Sequence, residues 1–146
     1  MTESGASQFN SRGVSDYAAP ERVLIFNPDE PHSGNIHNFD HWNYRAFYLD
    51  WNAVCFLCKD LELEPKDFPY FLCNVIEDKN LADRFRSLHS FIEESTNTLD
   101  KKLFFLDVIF DLLKHSVRAK HSQQKRLSKY VDERISLASS ILKNRC

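Results

Sequence analysis

The sequence predicts an all-α fold, a four- to five-helix bundle preceded by an extended N-terminal arm. Glycine is scarce, with three residues among 146, whereas β-rich folds use glycine in turns and bulges. Apolar residues in the second half of the chain recur at helical spacing. An apolar content of 42% at this length suits one globular domain with a core of its own.

Residues 1–36 are expected to form the arm, partly disordered or packed in extended form. Ser, Asn, Gly and Pro dominate this stretch, and such residues favour turns and loops. Residues 22–26 are apolar enough for a short strand or a tucked-in extended segment. Residues 27–30, Asn-Pro-Asp-Glu, predict a turn.

The helical domain is expected to span residues 37–146, with its first helix beginning near Asp40. Apolar residues then recur at steps of four, three, four and three, which places them on one helical face. They are Phe47, Trp51, Val54, Cys58 and Leu61. Asp50 offers an alternative start as an N-cap. Pro65 ends this segment, and Lys66 to Val75 is predicted to be a short, interrupted helix.

The helical signal is strongest after Asp78. An apolar stripe of Leu81, Phe85, Leu88 and Ile92 predicts one amphipathic helix. Residues 95–98 form a linker with side chains that can cap a helix. A helix from Leu99 to about Arg118 is apolar on nearly every side, which is typical of the centre of a bundle. A last helix is expected from about 122 to 142.

Location and thiol chemistry follow from what the sequence lacks. No apolar run approaches the roughly 18 residues of a membrane span, and no secretory leader pattern is present. A cytoplasmic location with free thiols is therefore expected. Cys55-x-x-Cys58 with Cys73 has spacing that suits zinc or redox chemistry. Core packing is the favoured interpretation, so neither a metal nor a cofactor is expected.

Charge divides the chain unevenly. Residues 1–111 hold ten Lys/Arg and nineteen Asp/Glu, a net −9, whereas residues 112–146 hold nine and two, a net +7. Clusters of basic residues bind phosphate backbones. We therefore expect nucleic-acid contact at a basic helix-loop-helix corner, residues 114–129. The candidate residues are Lys114, Arg118, Lys120, His121, Lys125, Arg126 and Lys129.

Two other interpretations of this corner stay open. Cations at the end of a helix also complement its macrodipole, and the remainder would then be a solvated surface. An acidic protein partner or a second copy of the chain is another match. A protein partner is expected on the acidic, aromatic side, through Trp42, Tyr44 and Tyr48. Packing in the core or against the arm is the favoured use of the aromatic group as a whole.

One short motif suggests an enzyme. Arg84-x-x-x-x-His89 resembles the signature of the helical ribonucleases called HEPN domains, which are bundles of this size. The resemblance covers six residues. It implies that Arg84 and His89 would form a catalytic pair at a dimer interface. On one helix the two side chains diverge by about 140°, so they would act together only across such an interface.

Three functional hypotheses result. The first is a small non-enzymatic helical module or subunit that contacts nucleic acid through residues 114–129 and a protein partner through its acidic side. The second is a protein–protein regulator or inhibitor without nucleic-acid contact. The third is a ribonuclease that uses Arg84 and His89. All three are compatible with a homodimer or a larger assembly, and none requires a membrane.

Overall fold

A computed structural model describes residues 1–36, 39–60, 62–64 and 70–116. These residues form seven strands and three helices. The strands are β1 (Thr2–Gly5), β2 (Ser7–Ser11), β3 (Val14–Ala18), β4 (Arg22–Leu24), β5 (His32–Asn35), β6 (Trp42–Tyr44) and β7 (Val75–Glu77). The helices are α1 (Trp51–Asp60), α2 (Lys79–Glu94) and α3 (Thr98–Leu113). The prediction of an all-α helical bundle is therefore wrong.

The chain divides into two compact units. The sheet unit comprises Met1–Tyr48 and Tyr70–Glu94, and it holds all seven described strands and α2. The helical unit comprises Leu49–Pro69 and Ser95–Cys146, of which α1 and α3 are described. Residues 1–36, expected to form an arm, contribute five strands to the sheet unit.

All three sheets of the sheet unit are antiparallel and small. Their strand orders are β1-β6, β3-β2-β5 and β4-β7. Strand β2 is central, and Ser7, Phe9 and Ser11 alternate inward along it. Two of these three inward residues are serines, so the alternation carries little hydrophobic signal in the sequence. Pairing with two neighbours stabilises this strand, since β propensity depends on the surroundings.

A two-residue turn joins β2 to β3. Arg12 and Gly13 both have positive φ, 52° and 73°, which is the conformation of a type I′ hairpin turn. Such a turn matches the twist of the flanking strands, and Ser11 pairs directly with Val14 across it. The left-handed conformation of Arg12 is unfavourable for a residue with a Cβ. Hydrogen bonds from the Arg12 side chain to Tyr70, Phe71 and Asn74 oppose that strain.

Two sequence predictions within the arm are confirmed. Arg22–Leu24 is a strand, and it pairs with β7 from Arg22↔Glu77 to Leu24↔Val75. The 27–30 turn is closed by Glu30 N–H, which donates to Asn27 O at 3.1 Å. Asp29 has a φ of 57°, the left-handed conformation that this residue type tolerates at the third position of a type II turn.

The first helix begins later than expected, at Trp51 rather than near Asp40. Asp50 caps it, because its carboxylate accepts from Ala53 N–H at 2.8 Å. The predicted apolar face is only partly correct. Val54 and Cys58 are buried, but Trp51 is 61% exposed and Phe47 lies in the extended segment before the helix. Leu61 and residues 66–69 lie outside the described residues, and residues 70–75 are not helical, contrary to the prediction, since Val75 begins β7.

Helix α2 follows the sequence prediction, and α3 begins where predicted but ends at Leu113 rather than near Arg118. Leu81, Phe85 and Leu88 are buried along α2. Asp78 caps this helix, because its Oδ1 accepts from Leu81 N–H at 3.0 Å. Asn97 caps α3 by accepting from the N–H groups of residues 99 and 100. The predicted last helix lies outside the described residues.

Candidate functional site

The ribbon of β1 and β6 carries a stacked aromatic pair on one face. The rings of Trp42 and Tyr44 stack at 4.1 Å with an interplanar angle of 24°, because alternate residues of a strand share a face. The indole Nε1–H of Trp42 donates to Thr2 Oγ1 at 3.1 Å. Thr2 is buried, whereas Tyr44 is 50% exposed. We call Thr2, Trp42 and Tyr44 the aromatic face.

The aromatic face lies near β5 and β2. A Cβ placed on Gly34 of β5 would come 3.9 Å from the Trp42 ring and 3.4 Å from Ser7 Oγ. Ser7 is fully buried, and its hydroxyl donates to Asn35 O at 2.8 Å. Buried polar groups and an aromatic ring therefore occur together here. This combination is typical of sites that hold a small molecule by stacking and a few oriented hydrogen bonds.

Close backbone approach fixes the geometry of this ribbon. Gly5, with a φ of 71°, lies so close to residue 41 that an added Cβ would be 2.0 Å from the carbonyl oxygen of His41. Ala6 N–H donates to the same oxygen at 3.2 Å. A register shift between Thr2 and Ser4 marks a bulge in β1, and bulges redirect side chains locally. Only glycine fits at residue 5.

The other side of the ribbon meets α2 through charged side chains. Arg45 Nε donates to Glu3 Oε1 at 2.6 Å, and Arg45 Nη1 donates to Glu93 Oε2 at 3.2 Å. Arg45 Nη1 also lies 2.8 Å from His89 Nδ1. A guanidinium only donates, so Nδ1 is the acceptor in this contact. We call Glu3, Arg45, His89 and Glu93 the Arg45 cluster.

Mutual hydrogen bonds shift the acid–base equilibria of this cluster. The hydrogen bond from Arg45 lowers the pKa of Glu3, and the same bond raises the pKa of Arg45. The cluster contains one guanidinium and two carboxylates beside the imidazole of His89. Its groups are partly exposed, so water screens the attraction. It therefore serves to position β6 against α2 more than to stabilise the fold.

A second polar network surrounds a buried carboxylate, that of Glu30, whose side chain is 4% exposed. Glu30 accepts hydrogen bonds from Ser11, Asn74 and Asn27, and Arg12 Nε lies 3.2 Å from its Oε1. Burial by itself would raise the pKa of Glu30, but these hydrogen bonds outweigh burial and lower it from 4.5 to about 2. We call these five residues the Glu30 network.

The Glu30 network also holds the segment that leads into β7. Asn27 Oδ1 accepts from Phe71 N–H at 2.9 Å, and Asn27 Nδ2 donates to Phe71 O at 2.9 Å. Arg12 reaches the same segment, through Tyr70 Oη at 3.2 Å and Asn74 Oδ1 at 3.0 Å. Every charged or amide group of the network thus has partners within the sheet unit. We assign it a structural role.

The residues predicted to bind nucleic acid are mostly not described. Lys114 is exposed at the C-terminal end of α3, and its Nζ lies 2.5 Å from Asp111 Oδ1. The remaining members of that prediction lie outside the described residues. They are Arg118, Lys120, His121, Lys125, Arg126 and Lys129.

The residues predicted to meet a protein partner do not behave alike. Trp42 is half-buried and hydrogen-bonded within the ribbon, and Tyr44 stacks on it. Tyr48 is 90% exposed. The partner surface through Trp42, Tyr44 and Tyr48 stays a prediction. Of these side chains, that of Tyr48 is exposed enough to contact a partner directly.

Arg84 and His89 lie on α2 of the sheet unit. His89 is engaged with Arg45, and the Phe47 ring packs edge-on against it at 5.4 Å. In the described part of the chain, no group of three or more His, Cys, Asp or Glu residues could hold a metal ion. Cys58 is buried and Cys55 is half-buried, but Cys73 is exposed, contrary to the expected core position.

Sequence reasoning missed Arg45 and Glu30 as organising residues. Arg45 directly follows a short aromatic strand, and Glu30 closes an Asn-Pro-Asp-Glu turn. The position of each residue beside a strand or a turn was therefore visible in the sequence. Their partners lie 42 to 48 residues away for Arg45 and up to 44 away for Glu30. Side-chain periodicity carries no information about such long-range pairs.

Comparison with known proteins agrees with the strand-rich unit. The family model described as the AraC-like ligand binding domain matches residues 1–109. No curated protein and no solved structure matches the chain. The family match and the strands together overturn the prediction of a helical module that contacts nucleic acid, and with it the HEPN-like ribonuclease. The findings support a β domain that binds a small molecule.

Proposed function

Because the chain belongs to the family of AraC-like ligand binding domains, we propose that its sheet unit binds a small molecule at the aromatic face. The family match carries this proposal, and the geometry of β1 and β6 supports the location. An exposed Tyr44 ring stacked on a half-buried Trp42 offers a surface for the flat or apolar side of a ligand. The buried Thr2 hydroxyl accepts from the indole Nε1–H of Trp42 and so fixes the orientation of that ring.

The proposed role is regulatory and non-enzymatic. The matched family is defined by ligand binding, and a ligand can shift the population of conformations only through differential affinity. No helix among the described residues is both long and apolar enough to cross a membrane. The cytoplasmic location and the homodimer stay predictions.

A fluorescence titration tests the ligand site. The chain has two tryptophans, so Trp51→Phe leaves Trp42 as the only indole reporter. This protein is titrated with a panel of monosaccharides, polyols, amino acids and dicarboxylates. We expect at least one compound to change Trp42 emission in a saturable way. We expect Tyr44→Ala to weaken its binding by about tenfold, because a stacked aromatic contact is lost.

Tyr48→Ala is the matched control, since Tyr48 is a nearby tyrosine with an exposed ring. It should bind the same compound with unchanged affinity. The proposal is contradicted if no compound in the panel gives saturable binding, or if Tyr44→Ala and Tyr48→Ala bind equally well. Isothermal titration calorimetry on the unmodified chain checks that Trp51→Phe has not altered binding.

A further inference from the structure

The segment from Trp42 to Phe47 presents alternate side chains to two different parts of the sheet unit. Trp42 and Tyr44 form the aromatic face, whereas Arg45 and Phe47 contact α2. The Phe47 ring lies 5.6 Å from the ring of Phe85 and 5.4 Å from that of His89. One short extended segment therefore touches the proposed ligand site on one side and a helix on the other.

We propose that Arg45 is a positioning residue that couples the aromatic face to α2. This inference rests on the proposed function, because it assigns a regulatory consequence to occupancy of the same site. A ligand stacked on Tyr44 displaces β6 and draws the guanidinium away from His89 and Glu93. Arg45 then keeps its contact with Glu3 on β1 alone. Two arrangements of one side chain thus correspond to two positions of β6 relative to α2.

The contacts of Arg45 make this coupling reciprocal. Its backbone is tied to the ribbon, because Arg45 N–H donates to Met1 O at 2.9 Å, whereas its Nη1 reaches only residues of α2. Movement of either element therefore changes the contacts of the other. Because coupling between two sites acts in both directions, a substitution on α2 is expected to alter the aromatic face. The coupling can accordingly be measured without a ligand.

Acrylamide quenching of Trp42 in the Trp51→Phe protein measures the effect of α2 on the aromatic face. Glu93→Gln removes a charged partner of Arg45 on α2, and we expect it to raise the quenching constant of Trp42 by about twofold. Arg45→Gln should raise it at least as much. The double variant Arg45→Gln with Glu93→Gln should match Arg45→Gln alone, because the Glu93 effect acts through Arg45.

Glu94→Gln is the matched control, the same change at the adjacent exposed position, and it should leave quenching unchanged. Equal quenching for Glu93→Gln and Glu94→Gln would overturn the coupling, and so would additive effects in the double variant. Urea unfolding of each variant separates local from global effects. If Arg45→Gln does not fold, Arg45→Lys replaces it in the single and double variants. The comparison of Trp42 quenching between Glu93→Gln and Glu94→Gln then remains the deciding test of the coupling.

The two proposals fail separately. If no compound of the panel binds but Glu93→Gln exposes Trp42, the ligand site is wrong and the coupling through Arg45 stands. If a compound binds and Glu93→Gln leaves Trp42 unaffected, the ligand site stands and the coupling is wrong.

Discussion

At the scale of single residues, buried charge is the decisive feature of the sheet unit. Glu30 is an ionised carboxylate that is almost fully buried, and an isolated buried charge is strongly unfavourable. Hydrogen bonds from Ser11, Asn27 and Asn74 and the nearby Arg12 compensate for the lost hydration. Removing one partner of such a network leaves the others unsatisfied, which is costly.

Glu30→Gln is expected to lower the free energy of unfolding at neutral pH by roughly 3 kcal/mol. This magnitude follows from the pKa of Glu30, which folding lowers from 4.5 to about 2. A lowered folded-state pKa contributes stability that is fully present above the unfolded-state value. That contribution is lost as pH falls through 4.5 toward about 2. Urea unfolding of wild type should show this loss over that range, and the Gln variant should show much less of it.

Asp29→Asn is the control for this experiment. Asp29 lies in the same turn, is exposed and has a positive φ that asparagine also tolerates. Its variant should keep the pH dependence of wild type. A Glu30→Gln protein with the same acid sensitivity as wild type would show that Glu30 does not carry this stability.

At the scale of elements, close packing of the backbone sets the register of short strands. β1, β4, β6 and β7 have three or four residues each, too few for alternation alone to define a register. The Arg12-Gly13 turn defines the β2–β3 hairpin, and the approach of Gly5 to His41 defines the β1–β6 ribbon. The helices depend instead on caps and apolar stripes, which are local.

Alanine at Gly5 and at Gly13 should have different effects. Both glycines have φ near 70°, so the conformational penalty is similar, about 1–2 kcal/mol. A Cβ at Gly13 meets nothing within 4 Å, whereas one at Gly5 collides with the His41 carbonyl. In urea unfolding we therefore expect Gly5→Ala to lower stability clearly more than Gly13→Ala. Equal losses would mean that the close approach does not exist in solution.

At the scale of the whole molecule, the chain combines a strand-rich unit with a helical one. The family match covers residues 1–109, which include every described strand and both α1 and α2. Within the helical unit, α1 and α3 meet through Lys102, whose Nζ lies 3.7 Å from Asp60 and 4.3 Å from the centre of the Phe56 ring. A ligand that binds the folded sheet unit should raise the Tm of the protein.

A ligand at about 100 times its Kd should stabilise the folded state by about 2.7 kcal/mol. For a chain of this size that corresponds to a rise in Tm of roughly 5–10 °C. Scanning calorimetry with the compound found by Trp42 fluorescence measures this shift. Hydrogen exchange should show the added protection at the amides of β1, β2 and β6. Protection confined to α1 and α3 would place the ligand elsewhere.

The sequence alone determined the features that depend on neighbours along the chain. It predicted the apolar stripe of α2, the 27–30 turn and a short strand or extended segment within residues 22–26, and it offered Asp50 and residues 95–98 as possible caps. These rest on local hydrogen bonds and helical periodicity. The HEPN-like motif was local as well, but six residues on one helix did not identify the fold around them.

Only the tertiary structure decided that the polar N-terminal third forms strands. Half of the residues of strands β1 to β3 are Ser, Thr, Asn or Gln, and β1 and β2 hold Phe9 as their one large apolar side chain, a composition that locally resembles a loop. Their stability arises from pairing partners up to 42 residues away and from the buried Glu30 network. Such partners are distant in sequence, so the aromatic face and the Arg45 cluster emerge only when the strands pair.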